Sequence, residues 1–210
     1  VSDAVLDLRL KRFDIQSSAI LGAIDLRLGD TDTLALVGPS GVGKTTLLRI
    51  IAGLETGFDG QCDVRGRVGM VFQEPTLLPW RSLRDNISIP TGIPDAQAVH
   101  ALAEVGLDAR AAAFPNQLSL GQQRRLALAR AFALQPDLLL LDEPFVSLDV
   151  DLADEMMALF AKMKAARRVA TILVTHVDTE VQRLADRCVR LGGSPACIID
   201  DSKTLVVDTI

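Results

Sequence analysis

The chain has 210 residues, 49% of them apolar, which suits one domain with a sizeable core better than two separate domains. A net charge of −5, with no basic block beyond Arg124-Arg125 and Arg167-Arg168, argues against a nucleic-acid partner. No run approaches the ~18 apolar residues of a membrane span, and Val1-Ser-Asp-Ala4 lacks the basic-then-apolar order of a signal peptide, so the expectation is a soluble, intracellular protein. Cys62, Cys188 and Cys197 are odd in number, have no metal spacing, and read as reduced cysteines of a cytosolic protein.

Val5–Leu10 and Ile24–Leu28 alternate apolar with charged residues, the period of half-buried strands. Gly29-Asp-Thr-Asp32 turns the chain into the apolar strand Leu34–Val37. A helical pattern ends near Gly53, Glu55–Gly60 reads as a loop, and Arg67–Phe72 as a strand. Between residues 75 and 136 several helical patterns are broken by prolines, and Ser82 with Asp85 and Ser119 with Gln122 have capping-box spacing. From Leu138 the chain alternates again: strand Leu138–Leu141, helix Leu152–Ala166, strand Val169–Val174, helix Thr179–Ala185 and strand Cys188–Leu191. Ala196–Ile199 and Leu205–Val207 are short edge-strand candidates. Such alternation implies βαβ units, hence an α/β fold with a mostly parallel central sheet, an N-terminal antiparallel strand region and an inserted α-helical subdomain. The expected bounds are 1–74 and 135–210 for the nucleotide core and 75–134 for the insert.

The strongest motif is Gly38-Pro39-Ser40-Gly41-Val42-Gly43-Lys44-Thr45-Thr46, between an apolar strand and a helical pattern. Gly38, Gly41 and Gly43 permit positive φ and carry no Cβ, so backbone N–H groups can converge on phosphate oxygens. The helix start adds donors and its dipole, Lys44 would reach the β- and γ-phosphates, and the Thr45 hydroxyl would ligate Mg²⁺. The implication is a nucleoside triphosphate site in a P-loop NTPase core. The second motif is Leu138-Leu-Leu-Leu-Asp142-Glu143, an apolar strand ending in carboxylates. In a parallel sheet such a strand end lies where ligands gather. Asp142 would hold Mg²⁺ through water, and Glu143 could take a proton from an attacking water.

With these motifs in place the chain resembles the nucleotide-binding subunit of ATP-binding cassette transporters, over nearly its whole length and in the family's fixed motif order. Gln73 looks like the family's Q-loop glutamine, a Mg²⁺ ligand or water-orienting group, though alone it reads as a polar strand end. Leu118-Ser119-Leu120-Gly121-Gln122 looks like the signature sequence, which in the family completes the ATP pocket of the opposite subunit in a head-to-tail dimer; alone, it is a plain helix cap. Ser147-Leu148-Asp149 resembles the D-loop, with Asp149 also suited to capping a helix. His176 resembles the switch histidine that bonds the γ-phosphate, and read alone is a structural histidine. Leu120 departs from the usual Gly, which implies weakened or retuned turnover, and Val177 replaces the common Asp. The family stacks an aromatic on adenine; counting back from the phosphate loop reaches Ile15, and Phe13 is the nearest ring, equally an ordinary core aromatic.

The resemblance implies an ATPase that uses ATP and Mg²⁺, dimerises with itself or a second cassette, and drives a separate membrane permease from the cytoplasmic face of the membrane. The permease would dock near Gln73–Arg84, where Leu77-Leu-Pro-Trp80 is either a docking cluster or part of the insert's core. Val71–Trp80 is most similar to importers of the nitrate, sulfonate and taurine group, which implies bacterial import with a periplasmic solute-binding protein. The chain ends soon after the cassette, so no regulatory C-terminal domain is expected. The competing readings are a non-transport cassette ATPase acting on nucleic acid or ribosomes, and a catalytically impaired partner subunit, for which Leu120 speaks.

Overall fold

The computed structural model describes residues 4–203, so Leu205–Val207 lies outside the described residues. Along the chain run β1 (Ala4–Ile15), β2 (Ser18–Leu21), β3 (Ile24–Gly29), β4 (Thr33–Val37), α1 (Lys44–Ile51), β5 (Asp59–Val64) and β6 (Val68–Val71). Then come α2 (Leu83–Thr91), α3 (Asp95–Glu104), α4 (Leu120–Ala133), β7 (Leu138–Asp142), α5 (Val150–Ala165), β8 (Ala170–Val174), α6 (Asp178–Leu184), β9 (Arg187–Gly193) and β10 (Ala196–Lys203). The chain folds as two compact units.

Among the described residues the first unit comprises 4–70, 137–143 and 168–203. Its sheet has the order β3-β1-β2-β10-β9-β4-β8-β7-β6, with β5 also paired to β1. The N-terminal strands are antiparallel. On one edge β1 pairs with β3, from Leu6↔Leu28 to Leu10↔Ile24, and on the other with β5; its far end pairs with β2 from Phe13↔Leu21, with a register shift between Phe13 and Asp14. The alternation read from the sequence is the burial seen: Leu6, Leu8, Leu10, Ile24, Leu26 and Leu28 line the core. Arg27 reaches across to Asp7 on the opposite face at 2.9 Å.

The central strands are parallel, β4 lying between β9 and β8 with β7 beyond. Every residue of β4, β7 and β8 is buried. A strand covered on both faces is largely apolar, as in Leu34–Val37, Leu138–Leu141 and Ile172–Val174 of these three; Thr171 sits buried within β8. Leu36 pairs with Val174, and Val174 with Asp142, so one rung crosses three strands. The loops that follow those strands therefore leave the sheet from one edge.

The loop expected over Glu55–Gly60 ends early, because β5 begins at Asp59. In Asp-Gly-Gln-Cys-Asp-Val only Cys62 and Val64 alternate toward the core, too weak a period to mark a strand, and the segment pairs along β1 through Leu8↔Cys62.

The second unit comprises Val71–Pro136 and Pro144–Arg167. It is wider than the expected insert of 75–134, since α5 groups with the helical segment. The reason is packing: the Phe132 ring on α4 lies 6.2 Å from that of Phe160 on α5. Arg167, just past α5, forks onto Glu104 at 2.7 Å to each oxygen and lies 5.2 Å over the Phe132 ring. Asn86, fully buried in α2, accepts from Leu78 N–H and donates to the carbonyls of Leu78, Arg81 and Ser82, fixing the loop before the helix.

Candidate functional site

In the first unit the phosphate loop leaves β4 and enters α1. Gly38, Gly41 and Gly43 have φ of 153°, 75° and 114°. A Cβ on Gly38 would stand 2.6 Å from the Leu191 carbonyl oxygen, and one on Gly43 would stand 2.7 Å from Leu21 Cδ2. Backbone conformation and close approach thus both demand glycine at those two positions. Gly43 caps α1 with no side-chain hydrogen bond, so the first-turn N–H groups of α1 remain available as anion donors. Lys44 is 6% exposed, and its ammonium donates to the carbonyls of Gly38 at 2.8 Å and Pro39 at 3.0 Å. The loop is wrapped around that charge.

Across the rung, Thr45 Oγ1 donates to Asp142 Oδ1 at 3.2 Å. Burial pushes the Asp142 carboxyl above its ordinary range and Glu143 adds to the effect, while the Thr45 hydrogen bond and Lys44 oppose it. The next residue, Glu143, has φ of 47°, a left-handed conformation uncommon away from glycine, and its N–H donates to Val174 O at 3.0 Å. Its Oε1 lies 3.6 Å from His176 Nδ1. The structure therefore brings the phosphate loop, Asp142, Glu143 and His176 to one sheet edge. Two buried polar residues there were not singled out in the sequence, Thr175 and Glu180. Glu180 falls one helical turn after His176, and that spacing is the only signal that could have found it.

The other expected site residues belong to the second unit. Ser119 caps α4 reciprocally: its hydroxyl accepts from Gln122 N–H at 3.3 Å, and Gln122 Oε1 accepts from Ser119 N–H at 3.1 Å. A Cβ on Gly121 would come within 2.9 Å of Leu152 Cδ2, so this glycine allows the first turns of α4 and α5 to touch. Leu120, the first residue of α4, is 45% exposed and directed away from the core. Asp149 caps α5 by accepting from Leu152 N–H at 2.9 Å. Gln73 is exposed and lies outside any helix or strand.

Phe13 needs correction as an adenine platform. It is buried among the core residues at the end of β1, with no free ring face, whereas Ile15 is 47% exposed. A stacking group needs an open face, and on β1 that description fits Ile15 rather than the ring.

A family profile described as ABC transporter matches residues 21–146. The aliphatic sulfonates import ATP-binding protein SsuB 2 of Frankia alni is 45% identical over 179 residues, 83% of this chain and 72% of that protein. The protein of the same name from Burkholderia cenocepacia is 39% identical over 212 residues, covering 96% and 78%. Among solved structures, the ATP-binding cassette MJ0796, a dimer in a post-hydrolysis state bound to ADP and Pi, matches with a TM-score of 0.83 at 24% identity. That match spans 95% of this chain and 99% of the other, and it is a likeness of fold. The chain belongs to the ABC transporter family, whose ATP-binding subunits are ATPases.

Proposed function

We propose that this chain is the ATP-binding and hydrolysing subunit of a bacterial importer, and that the imported solutes are aliphatic sulfonates. The relatives named for sulfonate import support the solute class. The single observation that carries the mechanism is the sheet edge itself, where Thr45 meets Asp142 at 3.2 Å and His176 meets Glu143 at 3.6 Å.

In this reading the backbone donors of 38–46 and the Lys44 ammonium hold the triphosphate, and binding draws Lys44 from the loop carbonyls onto phosphate oxygens. A hydroxyl and a carboxylate are hard oxygen donors, and Thr45 with Asp142 fits an octahedral cation whose other ligands are phosphate and water. They would hold Mg²⁺, which would supply charge to offset that on the phosphate oxygens. Glu143 takes the proton of the attacking water, and His176 hydrogen-bonds the γ-phosphoryl group. Ser119, Gly121 and Gln122, at the start of α4, offer donors to the nucleotide of a second copy in a head-to-tail dimer. Ile15 takes the adenine face in place of Phe13. The core of 1–74 and 135–210 does the chemistry, while 75–134 conveys it to a membrane permease docked near Gln73–Arg84. Trp80, 69% exposed, supports that surface. A periplasmic binding protein would deliver the solute, and the subunit would sit on the cytoplasmic face of the membrane. Among the described residues no helix is long and apolar enough to cross it.

The test is the size of Glu143→Gln with MgATP, with ADP and without nucleotide. The expected result is a dimer with MgATP alone, since removing the base traps the closed pair, and its loss on adding Ser119→Arg. Absence of ATP binding would overturn the reading.

A further inference from the structure

Arg130 lies in the last turn of α4, and its guanidinium closes on one short stretch of chain in the same unit. Nη1 donates to Thr76 O at 3.0 Å, while Nη2 donates to Pro75 O at 3.0 Å and to Thr76 Oγ1 at 3.2 Å. None of these acceptors is a carboxylate. Burial pushes the Arg130 pKa down, so the charge is drawn from water and met by neutral dipoles. A long apolar side chain would cover the same helix face without that desolvation cost, whereas only a planar fork reaches three acceptors in fixed directions. What Arg130 supplies is therefore geometry.

The stretch it holds is strained. Thr76 has φ of 44°, a left-handed conformation unusual for a β-branched residue. A residue stays in such a conformation only where its surroundings fix it, and Arg130 engages both its carbonyl and its hydroxyl. Asn86 makes a second anchor at Leu78, Arg81 and Ser82. Trp80, 69% exposed, lies between Thr76 and Arg81, and so between the two anchors. At the far end of α4 are Ser119 and Gln122, with Ser119 about 16 Å from Arg130 along the helix at ~1.5 Å per residue. From Leu126 to Phe132 every residue of α4 except Arg130 is buried. The helix cannot unwind there without exposing its core face, so it moves as one rod.

We propose that Arg130 is a positioning residue that makes the start of α4 and the Trp80 loop move together, so that a nucleotide engaged by Ser119 and Gln122 resets the surface offered to the permease. This rests on the head-to-tail dimer and the docking surface proposed above.

Trp80 is the chain's one tryptophan, so its emission reports the loop directly. The test follows that emission, beside the size of the protein, in Glu143→Gln with MgATP, with ADP and without nucleotide. The expected result is an emission change that accompanies the MgATP dimer and is absent with ADP. Adding Arg130→Gln should cut its amplitude about fivefold, with the dimer retained and ATP affinity within about twofold. Arg130→Lys keeps the charge but replaces the fork by a single ammonium, so it should cut the amplitude about twofold. It decides the matter if the glutamine variant does not fold. A residue that merely supports the fold would lower the melting temperature and leave the response intact. A full response in both variants, loss of the dimer along with the response, or a silent Trp80 in the MgATP dimer of Glu143→Gln would overturn the proposal. Absence of that dimer in Glu143→Gln itself is the failure of the head-to-tail reading. It shows before Arg130 is changed, and it takes the coupling with it.

Discussion

Asp142 occupies a place that suits its charge poorly. Its pKa is raised on folding, so the folded chain keeps this proton to higher pH than the unfolded chain does. The group therefore favours folding in acid and weighs against it as pH rises through its folded range. Asp142→Asn, which can still accept from Thr45, should melt at higher temperature than wild type at neutral pH without nucleotide, and should lose Mg²⁺-dependent hydrolysis. A calorimetric scan and a turnover assay decide it; a lower melting temperature would mean that Lys44 and Thr45 more than offset the desolvation. At this scale the phosphate loop was legible because each fixed residue answers a local demand, such as the positive φ of Gly43. Asn86 and Glu180 were not, since a polar residue announces nothing until its partners are folded around it. Phe13 faces inward because the register of β1 shifts between Leu10 and Arg12, which moves the buried side from even to odd positions and which no local pattern records.

At the scale of elements, continuous apolar runs located β4 and β7, alternation located β1 and β3, and the strand-helix alternation after Leu138 located β8. The polar β5 and the four-residue β2 owe their form to pairing with β1, which no local pattern records. Nor did any pattern assign α5 to its neighbours, because what ties it there is contact across distant sequence. Arg167 concentrates that contact, reaching Glu104, the Phe132 face and Met163 O from one guanidinium. Both ion-pair partners are about three-quarters covered, so the pair is shielded from solvent far better than a surface bridge. Arg167→Met should destabilise the chain by about 2 kcal/mol, read from the urea midpoint, with Glu104→Gln giving a smaller loss.

For the whole molecule, a transporter subunit must exchange force with a membrane partner. Trp80 lies in the loop that Asn86 fixes and Ile89 on α2, and both are more than half exposed. Trp80→Asp should reduce co-purification with the permease and the stimulation of ATPase by an aliphatic sulfonate in the reconstituted importer. ATP affinity of the isolated chain should stay within about twofold, since the side chain lies outside the nucleotide motifs. Equal co-purification would remove Trp80 from the docking surface. The far side of the sheet carries a different lesson. β10 meets β2 at the single pair Ala196↔Leu21, so beyond it the outer edge of β10 has no strand partner among the described residues. An open edge is a template on which further chains can stack. Asp200 puts a negative charge there, next to Ile199, which is 62% exposed, while Asp201 is paired with Arg187 of β9. An uncompensated charge beside an unpartnered strand edge disfavours edge-to-edge pairing, so Asp200→Val should make the chain more prone to self-association, read by light scattering on warming.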